Sequence, residues 1–163
     1  MYACPCGYFG DSQKACHCNT TKIENYISKI SGPLLDRIDI HIELPRVKYK
    51  ELAETKEAEP SAVIKSRVEK VRLLQRERFK LAGELIFYNA QMSGKLIKKY
   101  CSLGNEEKGL LGFALNELGL SARAYDKILK VSRTISDLAD SETIQAEHIR
   151  EAIQYRNLDR RFF

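Results

Sequence analysis

The sequence predicts a mainly α fold. A helical bundle fills residues 61–163, preceded by a shorter part with one strand, short helices and a cysteine-rich loop. Three observations carry this expectation. Beyond Ser61, apolar residues recur at spacings of three and four, the period of a helix with one buried face. Only Ile38-Asp39-Ile40-His41-Ile42-Glu43-Leu44-Pro45 alternates with the period of two that a half-buried strand needs. Cys4, Cys6, Cys16 and Cys18 crowd into a stretch without hydrophobic period, among the turn formers Pro5, Gly7 and Gly10.

Regular structure is expected from Thr21. Thr21 and Glu24 have the spacing of a capping box, and Ile23, Tyr26, Ile27 and Ile30 make an apolar stripe that Ser31-Gly32-Pro33 ends. Leu34–Arg37 reads as a single turn. The strand follows, with Ile38, Ile40, Ile42 and Leu44 on its inner face. A lone strand leaves its backbone groups without partners, so the expectation is a chain cut from something longer. Residues 46–60 read as a charged linker with a short helix near Glu51. A long helix over Ala62–Leu81 comes next, its face lined by Ile64, Val68, Val71, Leu74 and Phe79. Shorter helices are expected over Ser93–Tyr100, Asn105–Leu118, Ser121–Ala139 and Ala146–Leu158, with Gly104 and Gly119 in C-capping positions.

The 163 residues are 44% hydrophobic and 30% charged, which excludes a disordered acidic tail, a collagen-like fibre and a low-complexity linker. No apolar run approaches the roughly 18–20 residues of a membrane span, and no export signal is legible. A cytoplasmic, membrane-free protein is expected. The net charge of +5 is localised: residues 61–82 hold seven Lys and Arg against two Asp and Glu, and the flanking parts are nearly neutral.

Three groups of residues could carry chemistry. Two Cys-x-Cys pairs separated by nine residues are candidate ligands for a structural zinc ion, Cys4, Cys6, Cys16 and Cys18. Free buried thiols and a redox pair are the alternatives, since zinc pairs more often have two intervening residues. His17 could replace one ligand, and Cys101 reads as core or half-exposed surface. Arg37 stands at a helix-to-strand junction between Asp36 and Asp39, where it either fixes the turn by a local ion pair or presents a guanidinium to a neighbour's phosphate. Lys65, Lys70, Arg72 and Arg76 on the basic helix could neutralise DNA phosphates. A solvated helix face is the plainer reading, because no aromatic residues are interleaved with them.

At this point the chain resembles a known family. Leu34-Leu35-Asp36-Arg37-Ile38-Asp39 is similar to the arginine-finger segment of AAA+ ATPases of the magnesium-chelatase and replicative-helicase branch. The run from Cys4-Pro5-Cys6-Gly7 through Ser31-Gly32-Pro33 to Pro45 resembles the YifB/ComM family of magnesium-chelatase-like proteins. Asn89-Ala90-Gln91-Met92, Gly119-Leu120-Ser121-Ala122-Arg123-Ala124-Tyr125-Asp126 and Ala152-Ile153-Gln154-Tyr155-Arg156 agree with it. The resemblance implies that residues 1–45 are the end of an AAA+ core and residues 61–163 its helical lid. Arg37 would then be the arginine finger, acting in trans, and Arg123 the sensor-2 arginine contacting ATP in its own subunit. ATP with Mg²⁺, identical subunits in a ring, and DNA in the manner of ComM-like branch migration during natural transformation are implied as well. No Gly-x-x-x-x-Gly-Lys-Ser/Thr occurs in the sequence, so this chain alone is expected to be inactive and to need an N-terminal AAA+ core. A metal-chelatase motor subunit, or a zinc-stabilised assembly module without a DNA role, are the alternatives.

Overall fold

The structure, a computed structural model, describes residues 4–11, 13–42, 44, 47 and 58–156. Seven α-helices occur among them: α1 Thr20–Ile27, α2 Gly32–Leu35, α3 Ser61–Leu81, α4 Gly94–Tyr100, α5 Asn105–Leu118, α6 Ala122–Leu138 and α7 Ala146–Gln154. A 3₁₀ turn, Asn89–Gln91, lies between α3 and α4. The mainly helical class expected from the sequence is thus the observed one. The short helix expected near Glu51 and the end of the last helix beyond Arg156 fall outside the described residues.

Local chemistry sets the helix ends. Asn19, rather than the Thr21–Glu24 pair, caps α1: its Oδ1 accepts the N–H of Lys22 at 2.9 Å. Gly119 closes α5 in the left-handed region (φ 59°), which an L side chain rarely adopts. Gly104 instead stands at the N-cap of α5, where its extended backbone starts the helix. Ser121 caps α6 by accepting the N–H of Ala124 at 3.1 Å. The N–H of Gln145, at the start of α7, is satisfied by His148 Nδ1 at 3.0 Å.

The core gathers Phe79, Met92, Leu96, Ile97, Cys101, Leu111, Ile128, Leu129, Ile144, Ile149 and Ala152. The α6–α7 pairing is the most extensive; α5 also packs on α7, and α3, α4 and the 3₁₀ turn pack on α6. Phe79 and Tyr100 meet edge to face with centroids 5.5 Å apart. Burial pushes the Cys101 thiol up to about 12, which makes it an inert core residue.

The long helix departs from its expected packing. Of the line Ile64, Val68, Val71, Leu74 and Phe79, only Val71 and Phe79 are buried, and every residue from Ser61 to Lys70 is exposed. The third buried residue of α3 is Gln75. One face of α3 is needed only along its second half, where α6 covers it, so an apolar repeat continues past the core it serves.

The expected strand is not formed among the described residues. Ile38, Ile40, Ile42 and Leu44 are 41%, 44%, 64% and 85% exposed, whereas His41 is buried. Only His41 of the segment turns inward, and Asp39 is exposed like the isoleucines beside it. A period of two selects an inner face only against a sheet, and here the segment lies along the ends of α6 and α7 through polar atoms. The N–H of His41 donates to the Tyr155 carbonyl at 2.7 Å. The guanidinium of Arg156 donates to the Ile38 carbonyl, and Lys127 donates to the Arg37 carbonyl at 2.7 Å.

Candidate metal centre and arginine edge

The cysteine loop turns tightly at Gly7 (φ 80°) and Gly10 (φ 83°), backbone conformations that glycine adopts without strain. Asp11 Oδ1 then accepts the N–H groups of Gln13 and Lys14, folding the chain back on itself. This brings the four sulfurs of Cys4, Cys6, Cys16 and Cys18 within 4.8 Å of one another. The Cys4–Cys6, Cys6–Cys16 and Cys4–Cys16 separations are 3.3, 3.5 and 3.7 Å, and all four cysteines are unbridged. Four thiolates at the usual zinc–sulfur distance of about 2.3 Å stand about 3.8 Å apart, so the cluster could hold a metal ion. Backbone N–H groups point at it, from Phe9 to Cys4 and from Cys18 to Cys16. The N–H of Tyr8 and the Cys4 thiol hold Cys6 down at about 6. The Cys18 N–H favours the Cys16 thiolate, but burial and the neighbouring thiols outweigh it and push Cys16 up to about 12. His17 is exposed and outside the cluster.

Arg123, far from Arg37 in sequence, lies beside Asp36, the residue that precedes Arg37. Asp36 is the pivot: its Oδ1 accepts from the Ser121 hydroxyl at 2.7 Å, and its Oδ2 lies 3.9 Å from Arg123 Nη1. Arg156, 1% exposed, reaches the same carboxylate at 3.8 Å from the end of α7. Lys127 pairs with Asp39 on the other side of Arg37. The Arg37 side chain itself is exposed and, among the described residues, donates only to the Pro33 carbonyl of its own turn, at 3.3 Å. Arg123 and Arg156 thus approach Asp36 and Lys127 pairs with Asp39, with the exposed Arg37 between these carboxylates in sequence, and the surplus of positive charge suits an anionic ligand. Arg156→Ala is expected to release this segment. Loss of a charged hydrogen bond to the Ile38 carbonyl should speed amide exchange at His41 by about tenfold or more, while the core amides of α6 stay protected.

The four candidate nucleic-acid residues separate on α3. Residues two apart on a helix diverge by about 200°, so Lys70 and Arg72 occupy different flanks. Lys70 pairs with Asp140 at 2.5 Å, and Lys65 with Glu69 at 3.7 Å. Arg72 and Arg76 share a flank and face Tyr88, their guanidinium carbons 5.0 and 5.9 Å from its ring centre. Arg76 also donates to the Tyr88 hydroxyl at 3.2 Å, and this bond holds the phenol below its ordinary value. The aromatic neighbours that the helix lacks in sequence are therefore supplied by the loop before the 3₁₀ turn.

One polar cluster carried no sequence signal beyond the four-residue spacing of Arg133 and Asp137. The Asp137 carboxylate is fully buried and accepts from both terminal nitrogens of Arg78, from Arg133 Nε and Nη2, from Asn89 and from Gln75. Arg133 in addition donates to the Ser141 and Glu142 carbonyls at 2.7 Å. Arg78, counted with the basic helix by sequence, is turned into this cluster.

Comparison with known proteins agrees with the family resemblance. The family described as magnesium chelatase, subunit ChlI C-terminal, matches residues 58–156, and magnesium chelatase, subunit ChlI, matches residues 1–52. Competence protein ComM of Haemophilus influenzae is 43% identical over 140 residues, 85% of this chain and 26% of that protein. YifB of Escherichia coli K12 is 36% identical over 162 residues, 98% of this chain and 30% of YifB. An uncharacterised protein of Mycobacterium tuberculosis H37Rv is 28% identical over 153 residues, 94% of this chain and 29% of its own length. The chain therefore spans under a third of the curated relatives it matches. With two adjoining family matches over the loop, the arginine edge and the bundle, this chain belongs to the magnesium-chelatase-like family that includes ComM and YifB.

Proposed function

We propose that this chain is the arginine-presenting edge and helical lid of an AAA+ ATPase that works as a ring of identical subunits on DNA. The observation that supports it is the approach of Arg123 to Asp36, the residue next to the exposed Arg37. A guanidinium matches phosphate oxygens two at a time and keeps its charge at any working pH. Arg37 is the arginine finger, reaching ATP and Mg²⁺ held by the next subunit, and Arg123 is the sensor-2 contact to nucleotide. The nucleotide phosphates are cradled by a P-loop-bearing core, because the 163 residues contain no P-loop motif. The test is ATP hydrolysis by the complete protein with Arg37 or Arg123 replaced. A metal-chelatase motor, which the family's description favours, would instead show hydrolysis responding to a tetrapyrrole substrate and not to DNA.

Zinc is the metal that fits the cysteine cluster best, with a structural role, since four sulfurs leave no open position for chemistry. Purified protein is expected to carry one zinc per chain. Cys6→Ser should lose the metal and the fold of residues 4–18 while the α3–α7 bundle melts as before, because no core residue of the bundle comes from the loop. Metal analysis that finds no stoichiometric zinc in protein prepared without chelator removes the assignment.

A further inference from the structure

The loop between α3 and α4 is built to hold two aromatic rings in place. Gln91 Oε1 accepts the N–H groups of both Phe87 and Tyr88, at 2.8 and 3.1 Å. The next residue, Asn89, is buried: its N–H donates to Gln75, and its amide donates to Asp137 and Thr134. Lys130 adds a bond to the Ala90 carbonyl at 3.0 Å. So fixed, the Phe87 ring stays 56% exposed beside Tyr88, with ring centres 6.4 Å apart. Burying part of Ile86 in the core anchors the segment, so the exposure of Phe87 is not the looseness of an unattached loop.

The adjoining cations are equally placed for use. Arg72 and Arg76 form no ion pair among the described residues, unlike Lys65, Arg67, Lys70 and Arg78 on the same helix. Both are exposed, and both lie against Tyr88. The exposed Phe87 ring, next to a tyrosine that carries two unneutralised guanidiniums, offers a stacking face for a base with two phosphate contacts nearby. A duplex cannot use the ring, because its bases are stacked inside; an acidic protein segment would use the cations and leave Phe87 idle.

We propose that Phe87, Tyr88, Arg72 and Arg76 form a binding surface for single-stranded DNA, Phe87 stacking on a base and the two arginines pairing with backbone phosphates. This rests on the DNA reading given above and names the surface and the strand form it takes.

The test is fluorescence anisotropy of the full chain with a labelled oligothymidylate of about 20 nucleotides, against a duplex of equal length, between about 50 and 200 mM salt. The single strand is expected to bind more tightly than the duplex and to weaken as salt rises. Phe87→Ala and Phe87→Leu should each weaken it by about 5–150-fold, the loss of one stacked base. The double change Arg72→Glu and Arg76→Glu should abolish binding at every salt concentration, with an unchanged thermal melt. Lys70→Glu, on the other flank, should alter it less than about threefold. Single-strand binding that is indifferent to both Phe87 changes overturns the proposal. Equal binding of duplex and single strand with Phe87 dispensable also overturns it and leaves the DNA reading standing. Binding of polyglutamate but of neither DNA overturns both the surface and the DNA reading, while the ATPase assignment is decided separately by Arg37.

Discussion

Arg37→Ala in the complete ATP-hydrolysing protein is expected to lower kcat by about 10³-fold or more, with oligomer formation and ATP binding retained. The size follows from the role, since a finger arginine meets charge that develops only as the terminal phosphoryl group leaves. Retention of the fold follows from the structure. The Arg37 side chain is exposed, and its single bond among the described residues is to the Pro33 carbonyl four residues back. Removing it leaves no buried group unpaired, so little stability is lost. Arg37→Lys should recover little, because an ammonium cannot form the forked pair. A mixing experiment separates action in trans from a local role. An Arg37→Ala subunit and a subunit lacking its P-loop lysine are each inactive, yet together they should regain part of the activity where an intact ATP site faces an intact arginine. Hydrolysis by Arg37→Ala within about threefold of the unaltered protein would falsify the assignment. Arg123→Ala should be weaker in effect and equally silent in stability, since its pair with Asp36 is long and largely exposed.

Asp137→Ala is expected to cost about 3–5 kcal/mol, the largest loss of stability from one substitution in the bundle. Two guanidiniums, Arg78 and Arg133, converge on this carboxylate, and Asn89 and Gln75 supply further donors. Without it, two buried positive charges face each other with no counter-ion. For a domain of this size the melting temperature should fall by about 10–20 °C. Asp137→Asn tests charge at constant volume and should recover less than half of the loss. The network also predicts an acid limb. Burial disfavours the charged carboxylate, but the Arg78 and Asn89 hydrogen bonds and the two guanidinium charges outweigh it and hold Asp137 below the usual carboxylate range. A lowered native value means that the unfolded chain takes up the proton first. Its stabilisation is therefore complete above about pH 5 and is lost as pH falls through about 4 towards the native value. Urea midpoints between those limits should fall in the parent and change less in Asp137→Asn. Parallel falls in both would assign the acid limb elsewhere.

How far the sequence reached can be judged from particular residues. The stripe Ile23, Tyr26, Ile27 and Ile30 is half-buried on one side of α1 and the turn after it, because a helix carries its period wherever it sits. Helix boundaries came within a few residues for the same reason, since caps such as Ser121 and Gly119 are local. The segment 38–44 shows the opposite case. Alternation cannot say which face is inner until a second surface exists, and here the ends of α6 and α7 took His41 and left the isoleucines outside. The cysteine cluster was legible because four thiols on a turn-rich loop have few other arrangements. Arg37 and Arg123 were legible as motifs, but the placing of Arg123 beside Asp36 was not.

By itself, the sequence determined the helical class and gathered four cysteines on one short turn-rich loop, because both depend on residues close together in the chain. Tertiary structure alone decided three other things. It placed Arg123 beside Asp36 across 86 intervening positions of sequence, turned Arg78 inward while leaving Arg76 exposed, and carried Tyr88, with Phe87 beside it, to the flank of Arg72. The physical reason is common to all three. Charge and aromatic surface act through distance in space, and only the packing of distant segments against α6 fixes those distances.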